Sequence, residues 1–92
     1  MINDYSRFPS EIKRALEVLE DESIFKILKF IYDKAEISFS ELTEKLDLSQ
    51  SSVNSALRKL MFTSLIDENH AKGKILYRLS SFGEDLIKAL KQ

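Results

Sequence analysis

Phe39-Ser-Glu-Leu-Thr-Glu-Lys-Leu-Asp-Leu-Ser-Gln-Ser-Ser-Val-Asn-Ser-Ala-Leu-Arg-Lys-Leu60 decides how this 92-residue chain is read. It holds two helical patterns joined by a tight turn. In the first, Leu42 and Leu46 lie one turn apart, so a short helix over 41–47 buries both, with Ser40 as its cap. Asp47-Leu48 makes the turn. In the second, Val53, Ala56, Leu57, Leu60 and Met61 repeat at helical spacing, and Ser49 stands where an N-cap hydroxyl is wanted. That predicts a helix over 50–63 with one apolar side.

Working outward, the N-terminal side carries two more helical stripes. Residues 1–9 read as an irregular arm ending at Pro9. Ile12, Ala15, Leu16 and Leu19 follow the i, i+3, i+4, i+7 rule after Ser10, a candidate cap. Glu20-Asp21-Glu22 interrupts the stripe and suits the positive end of a second helix over 22–35, whose inner face is Ile24, Ile27, Leu28 and Ile31. Ile37-Ser38-Phe39 is short enough only for a small strand. On the C-terminal side, Leu65–Glu68 and Ile75–Leu79 read as strands around a polar tip, Asn69–Lys74, with Gly73 free to take positive φ. Ser81-Phe-Gly-Glu84 has capping-box spacing and opens a last helix with Phe82, Leu86, Ala89 and Leu90 inward. The fold class is mainly α with a small β-hairpin, in the order α-α-β-α-α-β-β-α, as one domain over 1–92.

A short helix, a tight turn, a longer helix and a polar-tipped hairpin, in that order, resemble a winged helix-turn-helix of the ArsR and MarR regulator type. Leu16-Glu-Val-Leu-Glu-Asp-Glu-Ser-Ile-Phe-Lys-Ile-Leu28 resembles the entry into the family's second helix. The stretch 39–60 resembles its helix-turn-helix, with Leu-Ser-Gln-Ser-Ser-Val at 48–53 the most specific run. Leu65-Ile66, the basic hairpin and Tyr77-Arg-Leu-Ser80 resemble its wing and exit. The likeness spans residues 12–90 and implies a helix-turn-helix over 41–63 and a wing over 65–79. Ser64 stands where such families often place a helix-ending glycine. The arginine they often carry near Ser23-Ile24 is missing. Metal-sensing members use cysteine and histidine clusters, whereas this chain has no cysteine and His70 as its one histidine.

The outward residues of the fourth helix carry the chemistry. Burying Val53, Leu57 and Leu60 turns Gln50, Ser51, Asn54, Ser55, Arg58 and Lys59 to solvent. Gln and Asn make bidentate bonds to adenine, and Arg does so to guanine. Ser49 and Ser52, at the amide-rich helix start, suit a phosphate. Lys72, Lys74 and Arg78 on the hairpin suit the backbone or minor groove. The plain structural alternatives are a solvated helix face and a lysine-blunted sheet edge. Tyr77 reads as half-buried packing and His70 as a solvated tip residue. Phe62 falls near the outward face and is either core or part of a partner surface.

Composition bounds the rest. The net charge is −1, yet residues 1–48 sum to −4 and residues 49–92 to +3. A phosphate-binding face needs local positive charge only. No cysteine excludes disulfides and thiolate metal sites. The N-terminus lacks a signal-peptide apolar run, and Lys26 and Lys29 break the longest apolar stretches, so a cytoplasmic, nucleoid-associated protein without a membrane span is expected. No catalytic constellation, metal site or cofactor motif emerges, so an enzyme is not expected. The expectation is a sequence-specific regulator of double-stranded DNA. A homodimer through the first and last helices, with Ala15, Val18, Leu19, Ile87 and Leu90, would read a two-fold site. A winged helix used for protein–protein contact within a larger assembly is the competing class, since fold does not fix function.

Overall fold

The structure, a computed structural model, describes residues 9–90; the arm expected over 1–9 lies outside them except for Pro9. Eight elements follow in the expected order: α1 (Ser10–Val18), α2 (Glu22–Lys34), β1 (Ile37–Ser38), α3 (Phe39–Leu46), α4 (Gln50–Phe62), β2 (Ile66–Ala71), β3 (Lys74–Leu79) and α5 (Ser81–Leu90). The strands form one antiparallel sheet in the order β1-β3-β2, with Ile37 opposite Tyr77 and Glu68 opposite Tyr77 on the other side. The small strand thus joins the hairpin in a three-stranded sheet.

The apolar stripes meet in one core. Ile24, Ile27, Leu28 and Ile31 of α2 are buried, as are Leu42 and Leu46 of α3 and Val53, Ala56, Leu57 and Leu60 of α4. Leu65, Ile66, Tyr77, Leu79 and Ile87 close the core from the sheet and α5. α2 packs on both α4 and β3, so it is the central member. Burying one Leu or Ile side chain contributes about 1.5–3 kcal/mol, and these residues are at most 8% exposed.

Helix starts depart from the sequence reading by one or two residues wherever serines compete. Pro9, not Ser10, is the N-cap of α1 and offers no side-chain bond; its fixed φ leads straight into the helix. Ser38, not Ser40, caps α3: it accepts from the Glu41 amide at 3.2 Å while Glu41 reaches back to the Ser38 amide. The reciprocal capping box holds two orphan donors where Ser40 would hold one. Phe39 is therefore helical, not extended. Asp21 caps α2 by accepting from Ser23 and Ile24 amides at 2.9 and 3.4 Å, so the acidic run does cap a helix, as expected.

The hairpin is longer and tighter than the polar composition suggests. Asn69, His70, Ala71 and Lys74 are strand residues, and the turn is only Lys72-Gly73. Both have positive φ, 52° and 76°, as the twist-matched two-residue turn requires.

The end of α4 and the start of α5 are one joint. Ser64 takes φ 61°, its amide donates to the Met61 carbonyl at 3.0 Å, and the Leu65 amide donates to the Leu60 carbonyl at 2.9 Å. That is a full Schellman closure without the usual glycine. Ser80, not Ser81, then caps α5: its hydroxyl donates to the Ser64 carbonyl at 2.6 Å and accepts from the Gly83 amide at 2.9 Å. Its own amide donates to the Leu65 carbonyl at 3.0 Å. A side chain at Gly83 would sit 2.1 Å from that carbonyl oxygen. This approach turns α5 so that Gly83 and Ile87 are buried, Phe82, Leu86 and Leu90 half-buried, and Ala89 exposed. The inward placement of Ala89 is thus corrected.

Of the five apolar residues expected to form a dimer surface on α1 and α5, three are not available to it. Ala15, Leu19 and Ile87 are consumed by the chain's own core; Val18 and Leu90 remain half-exposed.

Two substitutions test the joint by urea unfolding. Gly83→Ala is expected to destabilise by about 3 kcal/mol, since backbone must move to admit the methyl. Ser64→Gly is expected to stabilise by about 0.5–1 kcal/mol, by relieving a left-handed non-glycine residue.

Candidate nucleic-acid interface

α4 is fixed at its start, along its buried side and at its end. Ser49 accepts from the Ser52 amide at 3.1 Å, and its hydroxyl lies 2.8 Å from Ser52 Oγ and 3.2 Å from Ser51 Oγ. Ser49 therefore already serves the helix. α3 leads into it through Asp47, which turns the chain at φ 53°. Four buried side chains set the rotation of α4, and the Schellman closure holds its end.

That rotation leaves Gln50, Ser51, Ser52, Asn54, Ser55, Arg58 and Lys59 exposed, with Ser49 beside them. At about 100° per residue they divide into three lines. Ser51, Ser55 and Arg58 run along the middle of the outward face. Gln50 and Asn54 lie on one flank. Ser52 and Lys59 lie on the other, where they border α2. An open groove of about 320 Å³ there is lined by Ser51, Ser52, Ser55 and Lys59 from α4 and by Asp21, Ser23 and Ile24 from α2. The sequence pattern turns Lys59 outward but gives no sign that Asp21 is its neighbour across a groove.

Phe62 extends the Ser51–Ser55–Arg58 line and is 81% exposed. It is therefore not a core residue. It lines a second groove, of about 410 Å³, with Glu11 and Arg14 of α1, Thr63, Ser64 and Phe82 of α5.

On the hairpin, Lys72, Lys74 and Arg78 are all exposed. Strand alternation puts Lys74 and Arg78 on the outer face of β3, away from the side that buries Tyr77 and Leu79. Lys72 sits in the turn. These cations occupy a different element from the α4 set, so the candidate residues form two groups rather than one cluster. Asp67 pairs in register with Arg78, and Glu68 is also on β2, so the hairpin is of mixed sign.

His70 is a strand residue, not a tip residue, and its Nε2 lies 2.9 Å from Glu68 Oε2, the one ion-pair contact among the described residues. Tyr77 is buried, and burial pushes its phenol above the ordinary value, with the Glu68 carboxylate pushing the same way. At neutral pH it stays a neutral packing group. Among the described residues no group of three or more His, Cys, Asp or Glu is placed to hold a metal ion, and no helix is long and apolar enough to cross a membrane.

Comparison with known proteins agrees with this geometry. The winged helix-turn-helix DNA-binding family matches residues 12–61. No curated protein sequence matches the chain. Among solved structures, the transcriptional regulator HlyU from Vibrio vulnificus is similar at 28% identity and a TM-score of 0.75, over 89% of this chain and 85% of that one. An ArsR-like transcriptional regulator from Rhodococcus shares the fold at 23% identity and a TM-score of 0.76, over 89% of this chain and 77% of that one. TubR from Bacillus thuringiensis, solved bound to 24 bp of tubC, shares it at 20% identity and a TM-score of 0.75, over 91% and 95%. The neighbour named ArsR-like shares the fold; the MarR side of the resemblance has no specific support among these structures.

Proposed function

The chain belongs to the winged helix-turn-helix DNA-binding family, and on that premise we propose that it is a sequence-specific transcriptional regulator of double-stranded DNA. The observation that carries this reading is the outward face of α4. Asn54 and Arg58, the two side chains best suited to base edges, are exposed on a helix whose rotation the core fixes. Gln50, Ser51 and Ser55 add short or amide-bearing contacts, and Ser49, Ser52 and Lys59 stand toward the phosphates. Lys72, Lys74 and Arg78 place the hairpin, residues 67–78, along the backbone or minor groove. One domain over 1–92 does this work in the cytoplasm, at the nucleoid, where its ligand is. The family is one of DNA-binding domains rather than enzymes.

The partner we propose for the α1–α5 side is a second copy. One module covers only about 600–1,000 Å² on DNA, and two related by a two-fold axis read half-sites about one helical turn apart. With Ala15, Leu19 and Ile87 committed inside, the surface left for it is Phe62, Phe82, Val18 and Leu90. Glu11 and Arg14 beside Phe62 make that surface charge-complementary to itself. The exposure of Phe62 is also what favours the protein-interaction alternative, in which the same face meets a different protein.

A gel shift on duplex DNA tests the main reading. Binding should weaken with salt at a log–log slope of about −0.9 per phosphate contact. Arg58→Glu with Lys74→Glu should abolish the shift while leaving the thermal midpoint nearly unchanged. No shift at low salt sinks the reading in favour of the protein-interaction module.

Light scattering after size exclusion tests the partner. The wild-type chain should run as a dimer at micromolar concentration and Phe62→Ser as a monomer. A dimer unaffected by the substitution places the interface elsewhere.

A further inference from the structure

Two large apolar side chains are exposed among the described residues: Phe62, on the face proposed for a second copy, and Ile75, on the hairpin. Strand alternation puts Ile75 on the same side of β3 as Tyr77 and Leu79. Those two are 8% exposed and belong to the core, whereas Ile75 is 43% exposed and lies beyond it. Its partner across the ladder is His70, which is also exposed. The hairpin therefore carries an isoleucine that its own sheet does not use. The charge around it changes along the hairpin. Asp67, Glu68 and Arg78 stand near the core end, whereas residues 69–75 hold Lys72 and Lys74 and no carboxylate. Glu68 is engaged with His70, 2.9 Å from its Nε2. An apolar side chain beside two cations at the far end of a hairpin fits a ligand with anionic rims and apolar walls. A DNA minor groove has that make-up: phosphates along its edges and deoxyribose along its sides.

On the reading that duplex DNA is the ligand, we infer that Ile75 is a specificity determinant. The hairpin enters the minor groove tip first, Lys72 and Lys74 meet the phosphates, and Ile75 packs on deoxyribose at the groove wall. Dimensions set the depth. Ile75 lies two residues behind Gly73, about 7 Å along the strand, and the groove is about 7.5 Å deep. With the turn at the floor, Ile75 is level with the sugars near the rim. Gly73 permits this, since it adds no side chain at the tip and takes the φ of 76° that the turn needs. Width makes the contact selective. Paired strands lie about 4.8 Å apart before side chains are added, and the groove is about 6 Å wide. It must open to admit Ile75, and the cost of opening depends on the base sequence. TA and CA steps deform readily, whereas A-tracts are stiff and narrow. The lysines pull the other way, because a narrow groove has the stronger negative potential. Ile75 thus favours sequences that the lysines alone would not.

Ile75→Thr keeps a β-branched strand residue and removes most of the apolar contact, and the thermal midpoint verifies the fold. The probes are a random-sequence duplex and the tightest duplex recovered by selection with the wild-type protein. The selected duplex is made in two forms, its flanks beyond the major-groove half-sites rebuilt as TA steps or as an A-tract. Each is titrated by fluorescence anisotropy at low salt. Burying the exposed part of one Ile side chain contributes roughly five-fold in affinity, so wild type should bind the TA-flanked form about five-fold tighter than the A-tract form. Ile75→Thr should lose that preference or reverse it, and Ile75→Val should retain it. Random duplex, held by phosphate attraction, should change by less than about two-fold. Lys74→Gln should instead weaken every duplex and lower the salt slope by about 0.9. Wild type indifferent to the flanks, or Ile75→Thr with the preference intact, overturns the inference while leaving DNA binding intact. So does a loss on random duplex equal to the loss on the selected one, since Ile75 would then serve contact in general. Failure of every version, wild type included, to bind duplex at low salt overturns both the inference and the reading beneath it.

Discussion

The rotation of α4 about its own axis is the constraint on which the rest of the molecule depends. Val53, Leu57 and Leu60 are at most 1% exposed, and burial of each contributes about 1.5–3 kcal/mol. Turning the helix by one residue would withdraw most of that, a loss comparable to the whole stability of a small domain, about 5–15 kcal/mol. The face opposite these residues is therefore presented as rigidly as the core is packed. Side chains meant to meet another molecule gain from this, because ordering them costs less at the moment of contact. The ends are held as firmly as the middle. Ser49 ties down the first turn, and the Leu65 amide closes the last one onto Leu60.

The chain makes its joints with very little glycine. It has two, and Gly73 is the only one among the described residues at positive φ. Ala35, Asp47 and Ser64 each take a left-handed φ at the end of a helix instead. Each costs on the order of 1 kcal/mol relative to an unstrained backbone. At Ala35 the bond from the Glu36 amide to the Lys34 carbonyl, 2.7 Å, closes a γ-turn of the strained hand. Such turns persist because the elements on either side are over-determined by packing. Gly83 is the reverse case: it is needed for closeness rather than for φ, because the Leu65 carbonyl occupies the space of a side chain. The joint between α4 and α5 thus relies on an absent methyl group, and a serine, Ser80, bonds both sides of it.

Much of this was legible in the residues, for a definable reason. Period-3.6 stripes in α2, α3 and α4 name their buried residues almost one for one, because the same core demands them whatever the details of the neighbours. What failed was local. Serines at 38 and 40, and at 80 and 81, offer equal caps by propensity, and the choice falls to their partners: the Ser64 and Leu65 carbonyls, distant in sequence, in the second case, and the Glu41 side chain, three residues on, in the first. Asn69, His70 and Ala71 look like loop by composition but extend the strand, because a ladder to Lys74–Leu76 outweighs side-chain polarity. The inner line of α5 was misplaced at Ala89 because a buried glycine carries no hydrophobic signal. For the candidate interface, exposure of Asn54 and Arg58 follows from rotation alone. The division that puts Lys59 beside Asp21 does not, since it depends on how α2 lies against α4.

A net charge of −1 sits oddly on a DNA-binding chain only if charge is counted rather than placed. The N-terminal half supplies the excess of carboxylates, and where its helices α1 and α2 border α4 a groove sets Glu17 and Asp21 against Arg14 and Lys59. The other candidate cations are Arg58 on the middle line of α4 and Lys72, Lys74 and Arg78 on the hairpin. Of the lysines of α2, Lys29 and Lys34 lie over the rings of Phe25 and Phe30, 5.9 and 5.7 Å from their centroids. The flank that borders α1 and α2 is balanced, whereas Arg58 stands on the middle line of α4, so the charge around the helix is uneven. A polyanion is drawn to the middle line and the hairpin cations rather than to that flank, and because screening acts within about 10 Å at ordinary salt, only the nearest groups decide the matter. Orientation, not total attraction, is what such a distribution supplies, which is why a chain with almost no net charge can still present a directional face to a phosphate backbone.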